Sequence, residues 1–131
     1  MDTYSWYGQL IKPFWSPPAW LFGPVWTVLY LVIIFSFGKV GYLYWRKKIS
    51  VFVLLPFVLN IIFNLAFTPI QFGLKNNYLA MVDILLVFLT LVWAMVKIYP
   101  INKVITYLQI PYLVWVSFAT ALQMTITYLN R

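Results

Sequence analysis

The chain alternates long apolar runs with short segments that hold most of its cations. A helix that crosses a bilayer needs about 20 mostly apolar residues. Four runs meet that length, at about Pro18–Tyr44, Val51–Phe72, Tyr78–Ile98 and Leu108–Leu129. The pattern predicts an all-α fold, an integral membrane helical bundle of about four spanning helices, as one domain over residues 1–131. Ser16 precedes Pro17 and Pro18, which suits an N-cap followed by prolines in the first turn, where a missing N–H has no partner anyway. Pro24 lies further in and predicts a kink, while Pro56 and Pro69 also fall inside apolar sequence. Membrane helices tolerate such prolines when neighbouring groups satisfy the freed carbonyls. Asn102, after Pro100, marks the third turn, and Pro111 suits the first turn of the fourth helix.

Composition supports a lipid environment. Of the residues 64% are hydrophobic and 8% charged, against roughly 25% charged in ordinary soluble domains. Residues 1–15 differ from the runs: Trp6, Tyr7, Phe14 and Trp15 mix with Gly8, Lys12 and Pro13, as in a segment with its rings at headgroup level. They lack a basic stretch followed by an apolar one, so no cleavable signal peptide is expected. With four spans, Lys39, Arg46, Lys47, Lys48, Lys97 and Lys103 share one side, and Lys12, Lys75 and Arg131 the other. The excess of cations places the turns near Arg46–Lys48 and Lys103 in the cytoplasm and both termini outside. The aromatic residues lie within apolar runs that phosphates cannot follow, which argues against nucleic acid as a partner.

Candidate chemistry is narrow. There is no Cys and no His, and the only acids are Asp2 and Asp83. Disulfides, Cys/His zinc sites, Ser-His-Asp triads, paired intramembrane carboxylates and the usual axial ligands of haem iron are therefore excluded. Polar groups inside apolar runs carry the information instead. Asn60, Asn64 and Thr68 are spaced i, i+4, i+8 and share a helical face that should point into the bundle, with Gln71 beyond them. That face suits interhelical hydrogen bonding, or a pocket of convergent donors and acceptors. Trp115 and Ala119 set a large ring one turn from a small residue, and Ser117 and Ala121 form a small pair suited to close packing. Gly38 and Gly41 suit close helix contact, bending or plain lipid exposure. Asp83, near the start of the third helix, is expected as an anchor favoured by the helix dipole and paired with Lys75; proton coupling is the sharper alternative. Leu122, Tyr128 and Arg131 fit a loose cholesterol pattern of small weight.

Several blocks occur in a familiar order: Trp6-Tyr7, Lys12-Pro13, Trp15-Ser16-Pro17-Pro18, Gly23-Pro24-Val25-Trp26-Thr27 and Leu29-Tyr30. They continue with Asn64, Pro69-Ile70, Phe72-Gly73, Ala80, Asp83-Ile84-Leu85-Leu86-Val87, Pro111-Tyr112-Leu113, Trp115, Phe118-Ala119-Thr120 and Leu122. The chain thus resembles the tryptophan-rich sensory protein or translocator protein family, also called the peripheral benzodiazepine receptor family. The resemblance implies a membrane receptor or sensor that binds tetrapyrroles, notably protoporphyrin IX, and sterol-like or benzodiazepine-type ligands in some members. No cofactor is required. By position the implied ligand site holds Tyr7, Trp26, Asn64, Trp115, Ala119 and Leu122. Trp26 and Trp115 match tryptophans implicated in light-dependent porphyrin breakdown in some members. Such breakdown is an alternative function, as is a small proton-coupled multidrug-type transporter.

The resemblance further implies a bacterial cytoplasmic membrane location and is compatible with a homodimer. The family pattern has a first spanning helix upstream of the Trp-Tyr motif, which stands here at Trp6-Tyr7. The expectation is either a start placed too late or a four-helix variant. Family pockets often carry Trp where Phe67 stands and Asn where Gln123 stands.

Overall fold

A computed structural model describes residues 10–16, 19–70, 74 and 76–130, with Ala19 and Thr68 described by their backbone only. A single 3-10 turn, Ala19–Leu21, leads into α1, Phe22–Trp45; α2 is Val51–Thr68, α3 is Asn77–Ile98, α4 is Lys103–Leu108 and α5 is Ile110–Leu129. Among the described residues, three helices are long and apolar enough to cross a membrane: α1, α3 and the combined span Lys103–Leu129. The apolar helix α2 is shorter, with 18 residues. At 1.5 Å per residue it rises about 27 Å, close to the roughly 30 Å hydrocarbon core. Its end widens into a π-turn at Pro69–Ile70, where the Leu74 N–H donates to the Pro69 carbonyl at 2.9 Å.

α3 organises the bundle, packing along α2 on one side and α5 on the other. Ala80, Ile84, Val87, Leu91, Ala94 and Ile98 recur at helical spacing and are at most 1% exposed. Alternating steps of four and three keep this stripe turned towards both neighbours. The opposite face carries Val82, Leu85, Leu89, Val92 and Val96, all exposed. So much uncovered apolar surface is not tolerated in water and is natural against lipid tails. α3 and α4 start on side-chain caps: the Asn76 Oδ1 accepts from the Leu79 N–H and the Asn102 Oδ1 from the Ile105 N–H, both at 3.0 Å.

The prolines and small residues depart from their sequence reading. Pro24 stands in the first turn of α1, just behind a change of helix type. The missing N–H thus falls at the helix start, where it costs least. Ser16 does not cap α1: its N–H closes a turn on the Pro13 carbonyl at 3.1 Å, and Leu21 occupies the cap position. Pro56 lies inside α2, as expected. Pro111 opens α5 but sits within a longer helical span that begins at Lys103. The break ahead of it is repaired by Gln109. Its backbone N–H tightens onto the Thr106 carbonyl, and its side-chain Nε2 takes over the Ile105 carbonyl at 3.2 Å. The same Nε2 donates to the Ser36 Oγ on α1 at 2.8 Å. Ser117 and Ala121 face outward, so that small pair makes no packing seam within the chain. Nothing approaches the α-hydrogen side of Gly38 or Gly41 either, so neither glycine marks a close helix contact within the chain.

The inward and outward faces of α3 differ in tolerance. Ala94→Leu forces volume into the stripe and is expected to cost about 1–3 kcal/mol, read as an earlier midpoint in an SDS unfolding titration. Val96→Leu, on the lipid side, should stay within about 0.5 kcal/mol of the parent. Equal shifts would contradict this assignment of faces.

Candidate functional site: an aromatic cluster beside a buried polar chain

The polar residues of the apolar helices meet in one directed series. The Tyr30 hydroxyl on α1 donates to the Asn64 Oδ1 on α2 at 2.9 Å. The Asn64 Nδ2 donates to the Tyr112 hydroxyl on α5 at 2.7 Å, and that hydroxyl donates to the Asn60 Oδ1 at 2.8 Å. The Asn60 Nδ2 then donates to the Val87 carbonyl of α3 at 2.9 Å and to the Thr90 Oγ1 at 3.2 Å. Asn60 and Tyr112 are fully buried, and Asn64 is 7% exposed. One chain of bonds therefore crosses α1, α2, α5 and α3, and its middle members, Asn64, Tyr112 and Asn60, each use a donor and an acceptor.

Aromatic rings fill the space between α1 and α5. Trp26 lies tilted against Tyr30 at 5.5 Å and edge-on to Tyr112 at 6.5 Å. Nearer the opposite end of α5, Trp115 meets Phe22 at 6.0 Å and Phe118 at 5.6 Å. The segment before α1 closes over this end. Trp15 stands edge-on to Phe118 at 5.5 Å. The Asn130 amide grips the Ile11 backbone from both sides, its Nδ2 donating to the carbonyl at 2.8 Å and its Oδ1 accepting from the N–H at 3.0 Å.

The expected site residues fall as follows. Trp26 and Asn64 come together around Tyr30 and Tyr112. Trp115 and Ala119 are half-buried on α5 against the same core. Leu122 is buried in an adjoining cluster with Ile126, Leu10, Phe22 and Phe118, joined to Trp115 through the Phe22 and Phe118 rings. Tyr7, Gln71 and the expected Lys75 partner of Asp83 lie outside the described residues, as does the Thr68 side chain. Asp83 is only 5% exposed, deeper than a position near the helix start suggests, and its Oδ2 has no hydrogen-bond partner among the described residues. Phe67 packs against the core, and Gln123 ties α5 to the start of α3 through the Asn77 carbonyl at 3.3 Å. Leu122 points inward and Tyr128 outward, so the cholesterol pattern forms no continuous surface there; Arg131 lies outside the described residues.

Sequence reasoning passed over Tyr30 and Tyr112 as hydrogen-bonding residues. The signal was present in α5, where Tyr112, Thr120, Gln123 and Thr127 recur at helical spacing inside an apolar run and are all buried. The Trp115 Nε1 is likewise buried and has no hydrogen-bond partner among the described residues. Among the described residues no group of three or more His, Cys, Asp or Glu could hold a metal ion.

A lipid-solvated helical bundle, closed by a buried amide–phenol chain and lined by tryptophans, defines this molecule as a polytopic membrane protein with an aromatic interior. A family model described as TspO/MBR family matches residues 1–129. The tryptophan-rich protein TspO of Bacillus cereus is 40% identical over 126 residues, covering 96% of this chain and 81% of that protein. The protein of the same name from Chlorobaculum tepidum is 39% identical over 128 residues, covering 96% and 80%. The human translocator protein is 34% identical over 126 residues, covering 92% and 72%. The chain belongs to the TspO/MBR family.

The central hydroxyl should be energetically coupled to its neighbours. In a double-mutant cycle, Tyr112→Phe and Asn60→Ala are expected to show a coupling of about 0.6–1.7 kcal/mol, the range seen for intramembrane hydrogen bonds. Unfolding in detergent mixtures measures it. Strictly additive effects would remove the Tyr112–Asn60 bond from the account.

Proposed function

We propose that this protein is a membrane receptor or sensor for tetrapyrroles of the protoporphyrin IX type, bound against the aromatic rings between α1 and α5. The observation that carries the reading is the Trp115 indole N–H, buried beside the rings of Phe22 and Phe118 and unpartnered among the described residues. A buried donor left unsatisfied costs free energy, and a ligand acceptor recovers it. A porphyrin offers a broad apolar face for indole and phenyl rings and carboxylate edges for such a donor. Ala119, one turn from Trp115, leaves room beside the ring. In this reading Trp26 and Trp115 flank the ligand, Leu122 closes the apolar end, and Asn64 holds the wall in place through Tyr30 and Tyr112. With neither His nor Cys in the chain, the favoured ligand is a metal-free tetrapyrrole, or one held without imidazole. The relative named tryptophan-rich sensory protein in Cereibacter sphaeroides, 30% identical over 126 residues, lends support. We place the protein in a bacterial cytoplasmic membrane, with the cation-rich turns near Arg46–Lys48 and Lys103 on the cytoplasmic side.

A second reading, proton-coupled export of apolar compounds, draws on Asp83, a buried carboxyl with one unpartnered oxygen. Transporters of that kind need an ionisable group inside the membrane.

Titration of protoporphyrin IX into the purified protein, followed by tryptophan quenching and by the porphyrin absorbance band, tests the first reading. Trp115→Phe keeps an aromatic ring and removes the donor, so affinity should fall about threefold to tenfold. An unchanged affinity in that variant would sink it. For the second, Asp83→Asn should abolish proton-driven efflux from reconstituted vesicles; absence of efflux in the parent protein removes the reading altogether.

A further inference from the structure

The turn between α1 and α2 has a feature that the proposed tetrapyrrole site does not use. α1 ends in a Schellman motif: the Lys48 N–H donates to the Leu43 carbonyl at 2.8 Å and the Lys47 N–H to the Tyr44 carbonyl at 2.9 Å. The motif requires a left-handed residue at the position of Lys47, where glycine is the usual choice. Lys47 adopts φ 58° and is the only non-glycine residue with positive φ among the described residues. A lysine held in that conformation is strained relative to glycine, and local strain of this kind motivates a functional explanation.

Beside Lys47 is an open recess of about 510 Å³ lined by Tyr44, Trp45, Lys47, Ile49, Ser50 and Val51. Arg46 and Lys48 flank Lys47, and the only acids of the whole chain are Asp2 and Asp83. Ser50 caps α2 by position, yet its side chain makes no capping hydrogen bond. Trp45 is 81% exposed at this level, as an interfacial indole would be. Directly along α2 from the recess, Val51, Phe52 and Leu55 are exposed to the bilayer.

We propose that this recess binds the headgroup of an anionic phospholipid. Lys47 and the Ser50 hydroxyl meet the phosphate, while the exposed apolar start of α2 receives the acyl chains. A free phosphate ion would use only the first half of that arrangement, so the lipid is the occupant the surface fits. Charge bias alone explains cations on this side of the membrane, but it demands no particular cation and no recess. The proposal makes Lys47 specific, whereas diffuse attraction would make every cation on that side equivalent.

The test uses the full chain, delipidated in neutral detergent, with bound phosphatidylglycerol and phosphatidylcholine counted by native mass spectrometry. Asn is the residue besides glycine that most readily adopts the left-handed conformation, so Lys47→Asn removes the charge while keeping the turn. The parent should prefer phosphatidylglycerol, and Lys47→Asn should reduce that preference about fivefold, the effect of one cation near a membrane surface. Lys103→Asn, a cation on the same side but outside the recess, should stay within about twofold of the parent. Inorganic phosphate at matched concentration should not displace the bound lipid. Equal retention of the two lipids by the parent, equal losses in Lys47→Asn and Lys103→Asn, or displacement by inorganic phosphate would each overturn the proposal.

Discussion

The structure depends on a constraint imposed by lipid: a polar side chain inside the bilayer has no water to turn to and must find its partner within the bundle. The series Tyr30, Asn64, Tyr112, Asn60 and the Val87 carbonyl satisfies it with bonds that all run in one direction. Because the Tyr112 hydroxyl both accepts and donates, its loss would leave an amide unpaired on either side. The series also sets the relative heights of its helices, since sliding any of them by one turn breaks a link. Apolar packing against lipid-like neighbours is a weak guide to register, so these few polar contacts carry the specificity that a water-driven core would supply elsewhere.

An aromatic cluster lies beside that series. α1 reaches α5 through rings: Trp26 and Phe37 stand against Tyr112, and Phe22 against Trp115. Rings at these separations form walls of broad flat faces. The segment carrying Ile11 and Trp15, clamped by Asn130 and set edge-on to Phe118, lies at the end of this cluster away from the cationic turns. The two ends of the bundle thus divide the chemistry. One end is aromatic, with an indole donor left unpaired, and the other is cationic and amphipathic.

Much of this was legible in the sequence. The apolar runs gave the helices within a few residues, and the i, i+4 spacing of Asn60 and Asn64 turned both inward. The motif blocks identified the family before any geometry was known. Other features needed the fold. Tyr30 and Tyr112 counted as aromatic bulk, because only a neighbour's position decides whether a phenol acts through its ring or its hydroxyl. Ser117 and Ala121 have the right spacing for a seam but lie on the outward face, which spacing alone cannot orient. The repair of the Pro111 break by Gln109 was hidden because a side chain standing in for a backbone donor leaves no periodic trace. Asp83 was judged by its distance from the helix start, whereas the neighbouring helices determine its burial.

The central claim is that the Trp115 indole N–H is an interior donor awaiting an acceptor on a tetrapyrrole. The side-chain resonances of 15N-tryptophan-labelled protein in lipid nanodiscs address it directly, with the Trp115 signal identified by its absence in a Phe variant. Protoporphyrin IX should move the Trp115 indole proton downfield as a hydrogen bond forms, while the lipid-facing Trp20 and Trp45 signals stay in place. Saturating porphyrin binding that leaves the Trp115 resonance where it was would contradict the account.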